Sequence, residues 1–297
     1  MNSYKFLPEI IKHYNNKGNI LEYFRNLKGV SENNIEDILI SYDLQSGTYI
    51  ELLSQDPSLR DKYCQYLADE INDLGSFNSI IEIGIGEGVT LGNLIPNLTN
   101  KPERILGFDI SWSRLKYAKD YLKEILNNNS ENLFVADLFN IPLPDNSVEV
   151  VYTSHTIEPN GGRELEAIRE IARIASKYII LLEPAYDFAS KEAKDRMEKH
   201  GYVKRIMEVC DELELKVIKH ELFKDSPNKL NPTGLTIIEK NIEIEIDSKY
   251  ICPITKTKLE KTASGYFSSE AGLLYPVILN IPCLITKNAI LASHLQK

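Results

Sequence analysis

From Ser79 onward, short β-branched runs alternate with amphipathic stretches, and this alternation limits the chain to a sheet of parallel strands joined by helical crossovers. The runs are IIEIG (80–84), RILGFDI (104–110), NLFVAD (132–137), VEVVYTS (148–154) and YIILLE (178–183). The segments 90–98, 112–127, 163–177 and 190–213 supply the crossover helices. LKVIKHELF (215–223) and GLTIIEKN (234–241) follow with only the loop DSPNKLNPT between them, which predicts an antiparallel pair. Seven strands result, five parallel and a terminal hairpin: an α/β architecture. Of 297 residues, 43% are hydrophobic, enough to bury a core without disulfides or metal.

Before the sheet, residues 3–75 carry apolar positions at helical spacing, such as Ile10, Ile11 and Tyr14, then Tyr63, Tyr66, Leu67 and Ile71. Two or three helices are expected there. Ser41–Tyr49 has turn chemistry at Ser46-Gly47 and reads as a loop that could close over a site. A helix–helix connector with packed tyrosines is the plainer reading. The four cysteines, Cys64, Cys210, Cys252 and Cys283, show no paired spacing, and MNSYKFLPEI lacks an export profile. A reducing, cytoplasmic setting is expected, with no membrane span. Cys64 and Cys210 fall on apolar helical faces as small buried thiols. The net charge of −9 repels phosphate backbones and argues against nucleic acid as partner.

The sharpest motif is Glu82-Ile83-Gly84-Ile85-Gly86-Glu87-Gly88, between the first strand and a helix. A dinucleotide loop needs Gly-x-Gly-x-x-Gly; here Val89 stands in the last place and the third glycine comes one residue early, which weakens the dinucleotide reading. Glu82 suits a cationic ligand, a sulfonium or an amino group, better than a pyrophosphate. Asp109 ends the second strand, where a carboxylate can accept both hydroxyls of a ribose. Asp137 ends the third, where it could take an exocyclic amino group of adenine. These strand ends share the carboxyl edge, where open α/β sheets bind ligands.

On these residues the chain resembles the class I S-adenosylmethionine-dependent methyltransferases over about residues 40–241. IPLPDNSVEVVYTS (141–154) and Glu170–Ile174 extend the likeness. The resemblance implies a Rossmann-like seven-stranded methyltransferase sheet with the last strand antiparallel, and S-adenosylmethionine as cofactor with S-adenosylhomocysteine as product. It assigns cofactor binding to Glu82, Gly84, Gly86, Gly88, Asp109, Ile110, Asp137, Leu138 and Ser154. His155 is the candidate base for a hydroxyl acceptor, with an ordinary pKa near 6.5, or else a pocket wall. Tyr42, Gln45, Tyr49, Glu158, Asn160, Arg163 and Glu183 are candidates for holding the acceptor.

Tyr250–Thr255 and Leu274–Ile285 resemble a Trm112-like zinc ribbon in their Tyr-Pro and Ile-Pro turns. Three of its four thiolate places hold Thr255, Ser268 and Ala271, so Cys252 stands alone and no metal is expected. The implied division is an N-terminal helical segment and lid at 1–75, a cofactor-binding domain at 76–243 and a small module at 246–297 with a packing or homodimer role. The expected function is methylation of a small polar acceptor, such as a sugar or a nucleotide-linked precursor of a surface glycan. A tRNA, rRNA or protein methyltransferase is the alternative that the module suggests, although no Asn-Pro-Pro-Tyr type motif follows the fourth strand. A non-catalytic scaffold is disfavoured by the intact glycines and acids.

Overall fold

The computed structural model describes residues 2–123, 125, 132–242 and 249–295. The chain begins with helices α1 (Leu7–Asn15), α2 (Ile20–Lys28), α3 (Ile35–Leu44), α4 (Thr48–Gln55) and α5 (Asp61–Asp73). Strands β1 (Ser79–Ile83), β2 (Arg104–Asp109), β3 (Leu133–Val135), β4 (Val148–Ser154) and β5 (Ala175–Pro184) follow, with α6 (Val89–Leu94), α7 (Trp112–Tyr121) and α8 (Glu164–Ile174) between them. Then come α9 (Lys191–His200), α10 (Ile206–Glu212), β6 (Lys216–Leu222) and β7 (Thr233–Glu239). The sheet order is β3-β2-β1-β4-β5-β7-β6, with β7 antiparallel to both neighbours. This is the expected seven-stranded, Rossmann-like sheet. The expected helix at 112–127 is seen as far as Tyr121, and part of its remainder lies outside the described residues.

Strands β1 to β5 are buried along most of their length because both faces are covered, whereas β6 at the edge is half exposed. Alternate residues enter two separate cores. Ile81, Ile83, Val151, Ile179 and Leu181 face α8 and α10 through Ile168, Ile171 and Val209. Ile80, Val150, Tyr152, Ile180 and Leu182 face α5, α6 and α7 through Leu67, Leu91 and Leu115. Cys210 and Cys64 are small buried members of the first and second core, respectively.

The N-terminal region holds five α-helices where the apolar spacing suggested two or three. The difference lies in the caps. Asn19 accepts the Glu22 N–H at 3.0 Å and starts α2, while Gly29 ends it at φ 65°. Asn34 accepts from Glu36 and Asp37, each at 3.0 Å, and starts α3. The expected loop at 41–49 is mostly helical: Tyr42 is on α3, Tyr49 is on α4, and only Gln45–Gly47 join them, turning at Gly47 with φ 95°. A single glycine in the left-handed region suffices for that turn.

At the C-terminal end, β8 (Glu260–Lys261), β9 (Gly265–Ser268), β10 (Leu273–Ile278), β11 (Ile281–Pro282) and β12 (Ile290–Leu291) form a small antiparallel sheet. The expected boundary at 243–246 falls outside the described residues. The small sheet covers the β3 edge: Leu284 N–H donates to the Val135 carbonyl at 2.8 Å, and Tyr250 meets the Phe134 ring edge-on at 5.1 Å. An exposed edge strand is thereby protected. Cys252 is buried beside Tyr275, Sγ to hydroxyl 3.4 Å. Burial works against its thiolate, but hydrogen bonds from Thr255, Tyr275 and Ser268 outweigh this and bring the thiol down to about 7. Among the described residues, no group of three or more His, Cys, Asp or Glu side chains could hold a metal ion, and no helix is long and apolar enough to cross a membrane.

Candidate functional site

The carboxyl ends of β1, β2 and β4 open into one cavity of about 620 Å³, roofed by α3, α4 and the start of α5. A cavity of this size suits a small-molecule site. Its floor is the glycine turn. Gly84 and Gly86 have φ of 66° and 56°, conformations costly for other residues. A Cβ on Gly84 would stand 2.3 Å from the Thr156 side chain, so only glycine lets the β4 loop close on this turn.

Two of the buried carboxylates that line the cavity, Glu82 and Asp109, stand at the carboxyl ends of β1 and β2. Glu82 Oε2 accepts from the Leu91 N–H at 3.0 Å and the Tyr152 hydroxyl at 2.9 Å. Burial pushes its pKa up to about 8. Asp109 Oδ2 accepts from the Gly86 N–H at 2.9 Å and Oδ1 from the Ser111 N–H at 2.8 Å. Burial raises its pKa as well, against those bonds and the Arg114 charge.

The opposite wall is the turn after β4. His155 has φ 56° and is pinned by its N–H to the Leu182 carbonyl at 2.8 Å. Its Nδ1 bonds Glu158 Oε2, and its Nε2 meets Thr233 Oγ1 at 2.8 Å. Burial opposes a charge on the imidazole, but the Glu158 carboxylate outweighs it and raises the pKa. The same contact, against burial, lowers that of Glu158. Asn231 Nδ2 reaches Glu158 at 3.2 and 3.3 Å, while Asn231 Oδ1 is buried with no partner.

Of the residues expected at the cofactor, Glu82, Gly84, Gly86, Asp109, Ile110, Leu138 and Ser154 line the cavity. Gly88 and Asp137 are not on its wall. Gly88 caps α6, packed beside Leu122, and the Asp137 carboxylate turns back to accept the Phe139 N–H at 2.9 Å. Of the acceptor candidates, Tyr42, Tyr49, Glu158 and Asn160 line it, together with His155. Gln45, Arg163 and Glu183 do not. Gln45 bonds back to the Ser41 carbonyl at 2.8 Å, and Arg163 stacks 3.4 Å from the Phe139 ring centroid and pairs with Glu166. Glu183 lies behind the His155 turn and accepts the N–H groups of Thr156, Ile157 and Glu158 at 3.0, 3.1 and 3.0 Å. Its role is to shape the turn, and burial raises its pKa to about 7.

The sequence reading missed Arg60, Glu87, Arg114 and the β6–β7 loop residues Asp225, Asn228 and Asn231, all on the cavity wall. Glu87 stands inside the glycine motif, and Arg114 follows Asp109 by five residues, within the first turn of α7; both positions were signals. The loop before β7 carried none beyond its polarity.

Residues 80–177 match a family model described as a methyltransferase domain. Over that stretch the chain is similar to methyltransferase domains. Structural comparison finds geranyl diphosphate C-methyltransferase from Streptomyces coelicolor A3(2), 9% identical, TM-score 0.49, covering 64% of this chain and 83% of that one. A S-adenosylmethionine-dependent methyltransferase from Aquifex aeolicus is 17% identical, TM-score 0.46, with coverage of 65% and 97%. A chain from the complex between the Haloferax volcanii Trm112 methyltransferase activator and a methyltransferase is 15% identical, TM-score 0.48, with coverage of 67% and 98%. Among curated proteins no match is found.

S-adenosylmethionine is the cofactor of such a domain, and the residues present fit it. The floor glycines admit a ligand against the backbone, Asp109 offers carboxylate oxygens to sugar hydroxyls, and Glu82 complements a cation. Glu87 holds the roof to this floor, accepting the Gly47 N–H at 3.0 Å and the Ile50 N–H at 2.8 Å.

Proposed function

We propose that this methyltransferase methylates a small, polar, hydroxyl-bearing acceptor held between the His155 turn and the loop before β7. The observation that carries this reading is the connected network of Glu158, His155, Thr233 and Asn231 on the wall facing the glycine floor. Bound S-adenosylmethionine supplies an electrophilic methyl group on a sulfonium. The chain's part is to orient the acceptor, exclude water and receive its proton.

Thr233 and His155 provide the route for that proton. The Thr233 hydroxyl can donate to His155 Nε2 while accepting from the acceptor hydroxyl, so the proton leaves through Thr233 to the imidazole as the new carbon–oxygen bond forms. Glu158, bonded at Nδ1, fixes the ring and stabilises the resulting charge. Glu183 keeps the turn in shape through its three N–H contacts. Asn231 Oδ1, a buried acceptor with no partner, suits a second hydroxyl of the substrate. A sugar has this chemistry.

The small sheet at 249–295 is in this reading a Trm112-like module that has exchanged zinc ligands for hydrogen bonds and is fused onto β3. Nucleic acid is disfavoured by the net charge of −9. The test is to incubate the protein with methyl-labelled S-adenosylmethionine and, separately, a small-metabolite extract, bulk tRNA and a protein fraction. Label should enter the small molecules. Label in tRNA or protein alone would overturn the assignment.

A further inference from the structure

Arg114 has no place in the proton route, yet it is the most unusual charge in the cavity. It projects from the first turn of α7, is 6% exposed, and lines the wall next to Asp109 and Gly86. A Cβ on Gly86 would lie 3.2 Å from its Nη1. Its Nε donates to the Tyr42 carbonyl at 2.9 Å, and its guanidinium lies 4.9 Å from the Tyr42 ring centroid and 5.5 Å from that of Tyr49. Two aromatic faces offset part of the cost of burying the cation. They leave Nη2 with no hydrogen-bond partner. Buried donors without partners are rare and expensive, so this one implies an acceptor supplied by a ligand.

We propose that Arg114 is a cofactor-binding residue whose Nη2 donates to a sugar oxygen of the nucleoside that Asp109 holds, and that the same guanidinium ties the roof to the bound cofactor. This rests on the methyltransferase reading above. A sugar hydroxyl is both donor and acceptor, and the strand end answers both: Asp109 accepts its proton and Arg114 donates to its oxygen. The roof is tied to the same place by Asp43, whose Oδ1 lies 2.6 Å from the Ser111 hydroxyl, in addition to the Glu87 contacts. Tyr42 and Tyr49, the aromatic roof over the acceptor, are therefore set by an arginine whose remaining bond the cofactor completes.

The test is calorimetry with S-adenosylhomocysteine and its 2′,3′-dideoxy analogue on the full chain and two variants. Arg114→Met removes the donors and keeps the bulk; Arg114→Lys keeps the charge without the planar fork. Arg114→Met should weaken S-adenosylhomocysteine about ten- to hundredfold, the scale of a bond involving a charged group. It should weaken the dideoxy analogue far less, because the partner oxygens are gone. Arg114→Lys should fall between, and serves alone should the methionine variant not fold. Limited proteolysis within residues 35–60 should be slowed by S-adenosylhomocysteine in the unmodified protein and less so in the variants. Equal losses for the two ligands, or none, would overturn the sugar contact while leaving the function intact. Failure of the unmodified protein to bind S-adenosylhomocysteine would instead remove the function reading itself.

Discussion

Replacing Glu82 with glutamine should make the cofactor-free protein more stable at alkaline pH. Burial raises the Glu82 pKa from 4.5 to about 8 in the folded chain. Between these values the folded state binds more protons than the unfolded state, so the stability contributed by this group falls as pH rises. The loss is absent below about pH 4.5 and complete above about pH 8. At 1.36 kcal/mol per unit, a shift of this size corresponds to on the order of 5 kcal/mol. Glutamine avoids that penalty and keeps the geometry. Both protein bonds to Glu82 end on the same oxygen, Oε2, from Leu91 and Tyr152, so the amide carbonyl can accept both and turn its NH₂ to the cavity. Thermal unfolding followed by circular dichroism at pH 5, 7 and 9 is the assay. The two proteins should melt within a few degrees of each other at pH 5, and the variant should melt on the order of 10 °C higher at pH 9, taking roughly 2 to 3 °C per kcal/mol. A variant no more stable than the parent at pH 9 would refute the reasoning. S-adenosylhomocysteine carries an ammonium that favours the ionised carboxylate, so its affinity for the parent should rise between pH 6 and 8, and Glu82→Gln should flatten that rise.

His155→Ala should lower kcat by about 10²- to 10⁴-fold on a hydroxyl acceptor, with KM little changed. Because Glu158 raises the His155 pKa, the parent's rate should climb with pH to a midpoint above 6.5; a loss under tenfold would reduce His155 to a wall. Glu183→Ala should lower stability by about 3 to 5 kcal/mol, since it strands the buried N–H donors of Ile157 and Glu158 and the part-buried one of Thr156; a change under 1 kcal/mol in chemical denaturation would contradict that role. The purified protein should contain no stoichiometric zinc, and a chelator should leave Tm unchanged; one zinc per chain by elemental analysis would reverse the reading of Cys252.

The number of strands and the antiparallel terminal pair were legible because apolar runs alternate with helical spacing up to 213 and then follow one another with only a short loop between them; their order in the sheet is a finding of the structure. Glu82, Gly84, Gly86 and Asp109 were legible for a related reason: they occupy strand ends, whose location follows from the sheet alone. The acceptor wall was only half legible. Glu158 and Asn160 follow β4 and face the cavity, but Glu183, one strand over, turns its carboxylate into the backbone of the His155 turn. Nothing in a one-dimensional pattern distinguishes a carboxylate that faces a ligand from one that accepts three N–H groups. The 41–49 segment misled because Ser46-Gly47 signals a turn without giving its length, and the caps that make its flanks helical, Asn34 above all, lie several residues upstream. Arg114 was missed because it sits on α7 and not at a strand end, close as it is to Asp109, and the loop before β7 was missed because it carries no glycine or acid motif.

The most direct measurement is calorimetric titration of the protein and Asp109→Ala with S-adenosylhomocysteine. The account predicts one site per chain and a loss of about 1.5 to 3 kcal/mol in the variant, the worth of hydrogen bonds to a charged acceptor. Equal affinity in the two proteins, or no binding to the parent, would contradict it.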